Sequence, residues 1–192
     1  MKMKEKLILA SGSPRRREIL SMAGYDFDVI CPDAEEIKDG DAVYLTEENS
    51  KRKAGAALKL ADGVILCADT VVLIDGEILG KPHTEEKAVE MLRNLSGKTH
   101  TVITGYTVTD GKTTVTGHEK TDVQMRNIPE KELLSYVKIC SPLDKAGAYG
   151  IQEVAGMFVS ALHGDFYNVV GLPLCAISEI LRDKFNISPF DK

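Results

Sequence analysis

The sequence predicts a mixed α/β fold, and three observations carry that expectation. Short apolar runs alternate along the whole chain with stretches of helical spacing. Glycine, proline and aspartate punctuate the joins. No repeat, low-complexity tract or long linker interrupts the alternation. At 192 residues, 1–192 reads as a single domain, with room for two lobes, long enough to bury a core.

The first strand is Leu7-Ile8-Leu9-Ala10. A helix follows from Pro14 to Ala23, with Ser13 as N-cap, Pro14 at the first helical position, Ile19, Leu20 and Ala23 at helical spacing, and Gly24 as its stop. A second short strand lies near Phe27–Cys31, and the acid-rich stretch 32–45 reads as a mobile loop. Thr46 caps a helix running to Leu60, with Ala54, Ala57, Leu58 and Ala61 as its inner stripe and Asp62-Gly63 as its end. Val64–Cys67 and Val71–Ile74 read as strand, and Asp75-Gly76 turns a hairpin into Glu77–Leu79. Thr84 caps a helix from Glu85 to Leu95 that Gly97 closes. Residues 99–109 and 113–126 alternate apolar and polar around Asp110-Gly111, as two long antiparallel strands do. Pro129 starts a helix to about Cys140, Met157–Ala161 is a strand, and Pro173 leads a last helix to about Lys184.

Composition narrows the function. An apolar share of 43% and a charged share of 28% are those of a soluble globular protein, and no apolar run reaches membrane-spanning length. The Lys2, Lys4, Lys6 start lacks the apolar stretch of a signal peptide, which places the chain in the cytoplasm. Cys31, Cys67, Cys140 and Cys175 are scattered, form no C-x-x-C pair, and read as reduced core residues. His83, His100, His118 and His163 are too dispersed for a metal cluster. A net charge of -5 argues against nucleic acid or an anionic membrane as partner. Residues 1–24 nevertheless hold six Lys or Arg against two Asp or Glu, so positive charge gathers where a small anionic ligand would need it.

That charge surrounds Ser11-Gly12-Ser13-Pro14-Arg15-Arg16, a small-residue turn between strand and helix. The free N–H groups of the first helical turn, the positive end of the helix dipole and one or two guanidinium forks together suit a phosphate. The same segment also reads as an ordinary capped helix with solvated arginines. Asp69, in Ala68-Asp69-Thr70 at the end of a deep apolar strand, can hold a divalent metal, take a proton from water, or merely cap a turn. Glu35-Glu36 is an acidic pair of the kind usually solvated. Lys81 sits in the rigid turn Gly80-Lys81-Pro82, where it can meet phosphate as a point charge or face water, and Lys53 is open to the same two readings. In Asp144–Gln152, Gly147 and Gly150 would let a flat ligand approach while Tyr149 supplies a ring and Gln152 a two-sided amide; a tight crossover with a buried tyrosine is a plainer reading of the segment and compatible with the first. Gly164–Pro173 is a second strand-to-helix turn. There is no Walker pattern and no G-x-G-x-x-G after a strand.

Ser11 to Arg16, Ala68-Asp69-Thr70, Gly80-Lys81-Pro82, Leu95-Ser96-Gly97, Asp144 to Gln152 and Val170-Gly171-Leu172-Pro173 resemble, in order and spacing, the Maf family of nucleotide pyrophosphatases. The resemblance implies an elongated mixed β-sheet flanked by helices, with two lobes around a central cleft, related to inosine triphosphate pyrophosphatases, and commonly a homodimer. It implies cleavage of a nucleoside triphosphate between the α and β phosphates, with a divalent cation, Mg2+ or Mn2+, and an association with arrest of septum formation. Carried onto this sequence, Asp69 looks like the proton acceptor, and Ser11, Arg15, Arg16, Lys53 and Lys81 match polar and phosphate-binding positions. Glu36, with Glu35 beside it as the alternative, resembles the acid that joins Asp69 at the metal. Arg15, Thr70 and Gln152 match the positions that mark the branch acting on dTTP and UTP. Two competing readings remain: a nucleotide-sensing regulator of division acting through a protein partner, and a purine house-cleaning enzyme on the same fold.

Overall fold

The computed structural model describes residues 6–191, and Lys2 and Lys4 of the basic start lie outside them. Its elements run β1 (Leu7–Ala10), α1 (Pro14–Met22), β2 (Phe27–Ile30), α2 (Ala42–Ala57), β3 (Val64–Ile74), β4 (Glu77–Leu79) and α3 (Glu85–Leu95). There follow β5 (Thr99–Thr109), β6 (Thr114–Met125), α4 (Glu130–Cys140), β7 (Val159–His163), α5 (Phe166–Val170) and α6 (Leu174–Phe185). The strands form one seven-stranded sheet in the order β2-β1-β3-β5-β6-β7, with β4 beside β3. Parallel and antiparallel pairs both occur, so the expected mixed α/β architecture is what the chain adopts. Two units can be distinguished: residues up to Asp69 with Thr104–Glu119 and those from Gly171, and a second made of Thr70–Ile103 and Lys120–Val170.

In the first unit β1 lies between β2 and β3 and is parallel to both, Leu7 standing opposite Phe27 and Val64. A strand enclosed in this way has no solvent face, which is why all four of its residues are apolar and buried. Helix α2 packs Ala54 and Ala57 against Ile8, Ala10, Ile65 and Cys67. It also approaches Gly105 of β5 so closely that a Cβ there would stand 2.3 Å from the Thr46 carbonyl carbon. Only glycine leaves room for that backbone.

Helix α2 differs from expectation at its start. Asp41 is the N-cap, its Oδ1 accepting from the Val43 and Tyr44 N–H groups at 3.1 Å each. Thr46 lies inside the first turns, and its hydroxyl donates back to the Ala42 carbonyl at 2.9 Å. The helix stops at Ala57, leaving Leu58 exposed at the C-cap. The expected mobile loop 32–45 is therefore helix from Ala42, and side-chain bonds described below hold it at Glu36 and Ile37. Ser13 occupies the N-cap position of α1, but its side chain makes no capping bond.

In the second unit Asp75 and Gly76, with φ of 50° and 82°, turn β3 into β4 with the left-handed backbone a tight hairpin requires. Thr84 caps α3 by accepting from the Lys87 N–H, and Gly97, at φ 72°, turns the chain away after its C-cap. Leu92 and Leu95 of α3 pack with Leu133 and Val137 of α4, and Phe158 meets the Tyr136 ring edge-on. β3 is one continuous strand from Val64 to Ile74, because its ladder carries on from β1 to β4; Asp69 is thus mid-strand, not at a strand end. β7 begins at Val159, since Val154–Phe158 forms a 3-10 turn. All four cysteines are free, as expected, but Cys31 and Cys175 are exposed and not in the core. Among the described residues no helix is long and apolar enough to cross a membrane.

Candidate active site

The turn after β1 is organised by Ser11. Its Oγ accepts from the Ser13 N–H at 3.2 Å and from Arg16 Nη1 at 3.1 Å, while Arg16 Nε donates to the Gly171 carbonyl at 2.7 Å. Arg16 is thereby fixed across the turn between the end of β1 and the approach to α6. Burial lowers the pKa of its guanidinium; Asp69 works in the opposite sense, and Arg15 in the same sense as burial. An oxyanion placed among these cations would relieve the same burden.

Lys53 of α2 gathers the acids. Its Nζ stands 2.7 Å from Asp69 Oδ1 and 2.7 Å from Glu36 Oε1, with only 17% of the Lys53 side chain and 16% of the Asp69 side chain exposed. Of the acidic pair it is Glu36 whose side chain reaches Lys53. Beside Asp69 the Cys67 thiol is pushed up to about 12 by burial, which keeps it protonated and apolar in character. Two carboxylates converging on one cationic point are a donor set that suits a hard divalent ion, which commonly takes one or two carboxylates and completes its shell with water and phosphate oxygens. Among the described residues no group of three or more His, Cys, Asp or Glu is gathered for a metal.

Asn49 was not singled out by sequence. One turn before Lys53, it is 4% exposed, with Oδ1 accepting from the Ile37 N–H at 2.8 Å and Nδ2 donating to the Ile37 carbonyl at 3.2 Å and to Asp69 Oδ2 at 3.2 Å. The signal that could have found it is a run of polar residues, Thr46, Asn49 and Ser50, on the face of α2 that also carries Ala54 and Ala57 inward.

Thr70, Lys81 and Gln152 belong to the second unit. There the Gly147 N–H donates to the Gly80 carbonyl at 3.1 Å, which joins the Lys81 turn to the Asp144–Gln152 segment; Lys81 and Gln152 are both exposed. Gly147 and Ala148 have φ of 68° and 62°, a backbone costly for alanine, and Ala148 is fully buried. Lys145 lies between Asp144 at 3.1 Å and Glu153 at 3.4 Å. Tyr149 does not offer its ring to a ligand: it is buried, with its hydroxyl 2.7 Å from His100 Nε2. The crossover with a buried tyrosine is what the segment forms, because an enclosed phenol needs a partner and His100 supplies one.

A cationic turn and a shielded, lysine-paired aspartate stand on one mixed sheet of an α/β protein, a setting whose charge and geometry suit a phosphate-bearing ligand. The family model described as Maf-like protein matches residues 6–184. The chain belongs to the Maf family. It is 46% identical over 180 residues to the dTTP/UTP pyrophosphatase of Thermosipho africanus, with 93% of each chain covered. Over 193 residues it is 46% identical to the dTTP/UTP pyrophosphatase of Methanococcoides burtonii, covering 97% of this chain and 98% of that one. The enzyme of the same name from Thermococcus gammatolerans is 45% identical over 181 residues, 94% and 98% of the two chains. Among solved structures the Staphylococcus aureus Ham1 protein aligns with a TM-score of 0.48 and 17% identity, over 63% of this chain and 72% of that one.

Proposed function

We propose that this protein hydrolyses nucleoside triphosphates, dTTP and UTP by preference, to the monophosphate and pyrophosphate, with 1–192 acting as a single functional domain. The observation that carries the reading is Asp69, shielded, paired on one oxygen with Lys53, and near enough to Arg16 to offset part of the cost of burying that cation. The dTTP/UTP pyrophosphatases that align over nearly their full length support it. They lend nothing to the nucleotide-sensing regulator.

A triphosphate's charge has to be offset before water can approach the α phosphorus. Ser11, Arg15, Arg16 and Lys81 receive the phosphates, and Lys53 holds Asp69 in place through its Oδ1 contact. Asp69 takes the proton from the attacking water; the bond from the α phosphorus to the bridging oxygen breaks and pyrophosphate departs. Glu36 and Asp69 would hold a Mg2+ or Mn2+ ion, which when bound neutralises phosphate oxygens and makes water more acidic. Arg15, Thr70 and Gln152 select the pyrimidine base. The reading extends to a cytoplasmic homodimer in the setting of septum formation, and the net charge of -5 supports the absence of nucleic acid and membrane among its partners.

Asp69→Asn tests the core of this, since it removes the charge and keeps the shape. Turnover falls by at least about 100-fold while nucleotide still binds, and oxygen from labelled water appears in the monophosphate. Turnover retained by Asp69→Asn refutes the assignment of the base, and label in pyrophosphate refutes attack at the α phosphorus.

A further inference from the structure

Asp69 is held from two sides, and only one of them is a charge. Lys53 Nζ meets Oδ1 at 2.7 Å, and Asn49 Nδ2 meets Oδ2 at 3.2 Å. Asn49 and Lys53 are four residues apart on α2, so both point from one helix face and form a two-pronged holder of fixed spacing. Turning the carboxylate about its own axis would break both bonds at once.

The orientation of the Asn49 amide is itself determined. Its oxygen accepts from the Ile37 N–H at 2.8 Å, which leaves the NH2 group facing the Ile37 carbonyl and Asp69. The flipped amide would set an oxygen against a carbonyl and a carboxylate, and an NH2 against an N–H, losing all three bonds. Ile37 follows Glu36 in the chain, and Glu36 meets the same lysine as Asp69. One buried side chain therefore sets the backbone beside one acid and the carboxylate plane of the other.

We propose that Asn49 is a positioning residue for hydrolysis: it orients Asp69 through Oδ2 and seats the Glu36 segment through the Ile37 backbone, without touching substrate. The proposal rests on the reading of Asp69 as the group that takes the water's proton. It requires that Asn49 act on the chemical step through Asp69, and a double-mutant cycle isolates that route. Asn49→Ala should lower kcat by about 10-fold with KM for UTP within about 3-fold of wild type, the split expected when an interaction matters chiefly in the transition state. In an Asp69→Asn background the same change should alter kcat by less than about 2-fold, because the carboxylate it orients is gone.

Equal fold losses of kcat in the two backgrounds would mean a general structural role and overturn the proposal, as would an unchanged kcat in Asn49→Ala. Should Asn49→Ala not fold, Asn49→Asp keeps the shape and the acceptor for the Ile37 N–H but turns an oxygen toward Asp69. It is expected to fold, shown by a cooperative thermal transition, and to lose kcat in the wild-type background but not in the Asp69→Asn background; equal kcat losses there refute the role. Wild-type turnover in Asp69→Asn alone rejects the reading of Asp69 as the group that takes the water's proton, and that result is recognisable before Asn49 is altered.

Discussion

Substituting Gly105 by alanine should damage both the fold and the site, because Gly105 is where β5 meets the helix that carries Asn49 and Lys53. The new Cβ would stand 2.3 Å from the Thr46 carbonyl carbon, 2.5 Å from the Glu47 nitrogen and 2.6 Å from the Thr46 oxygen. These are backbone atoms, so no side-chain rotation relieves the clash. Ordinary contact begins near 3.4 Å, and α2 must therefore retreat by about 1 Å from a closely packed sheet. Overpacking of this kind costs about 1–3 kcal/mol, which for a chain of this size lowers Tm by roughly 3–10 °C. The same retreat stretches the 2.7 Å contact of Lys53 with Asp69 beyond hydrogen-bonding reach, so kcat should fall by about 10-fold or more in the fraction that remains folded. Gly55→Ala provides the control on the same helix. Gly55 is exposed with nothing within 4 Å of its Cβ position, so alanine there should stabilise by about 0.5–1 kcal/mol and leave kcat alone. Thermal melts and steady-state UTP hydrolysis on the two variants decide the matter. A Gly105→Ala protein with wild-type Tm and kcat would show that α2 does not depend on the close approach.

Two further outcomes concern the second unit. Burial pushes the His100 imidazole down to about 4 in the folded protein, partly opposed by Asp122, against about 6.5 for the unfolded chain. Between those values only the unfolded chain is protonated, so the contribution is fully present above pH 6.5 and is lost as pH falls toward 4, on the order of 3 kcal/mol. Urea unfolding across that range should show a shallower pH dependence for His100→Gln than for wild type; equal slopes refute the assignment. Gln152→Ala should cost roughly 1–3 kcal/mol in kcat/KM for dTTP and UTP and less for CTP and ITP, the scale of a recognition group left unpaired. An unchanged ratio among the four substrates removes Gln152 from base selection.

Local chemistry was enough to read much of this protein. Thr84 and Gly97 bound α3, Asp75-Gly76 turns the β3–β4 hairpin, and Pro129 and Pro173 precede α4 and α6, because each of these signals acts on backbone within a few residues. Ser11, Arg16, Lys53 and Asp69 were likewise visible as candidates, since their types and settings suit an anion and a proton.

Tertiary structure decided what depends on partners distant in sequence. The start of α2 is the exception, decided locally: Asp41 supplies the cap acceptor and the Thr46 hydroxyl turns back on its own helix. β3 runs through Asp69 because sheet partners continue on either side of it, and no property of the residues 68–70 announces that. Glu36 and Glu35 are indistinguishable in composition; Glu36 is the one whose side chain meets Lys53, 17 positions away in the chain. Asn49 reads as an ordinary helix residue until Ile37 and Asp69 are folded against it. Periodicity and turn propensity are properties of neighbouring residues, whereas the orientation of a carboxylate is set by whatever the fold brings to its two oxygens.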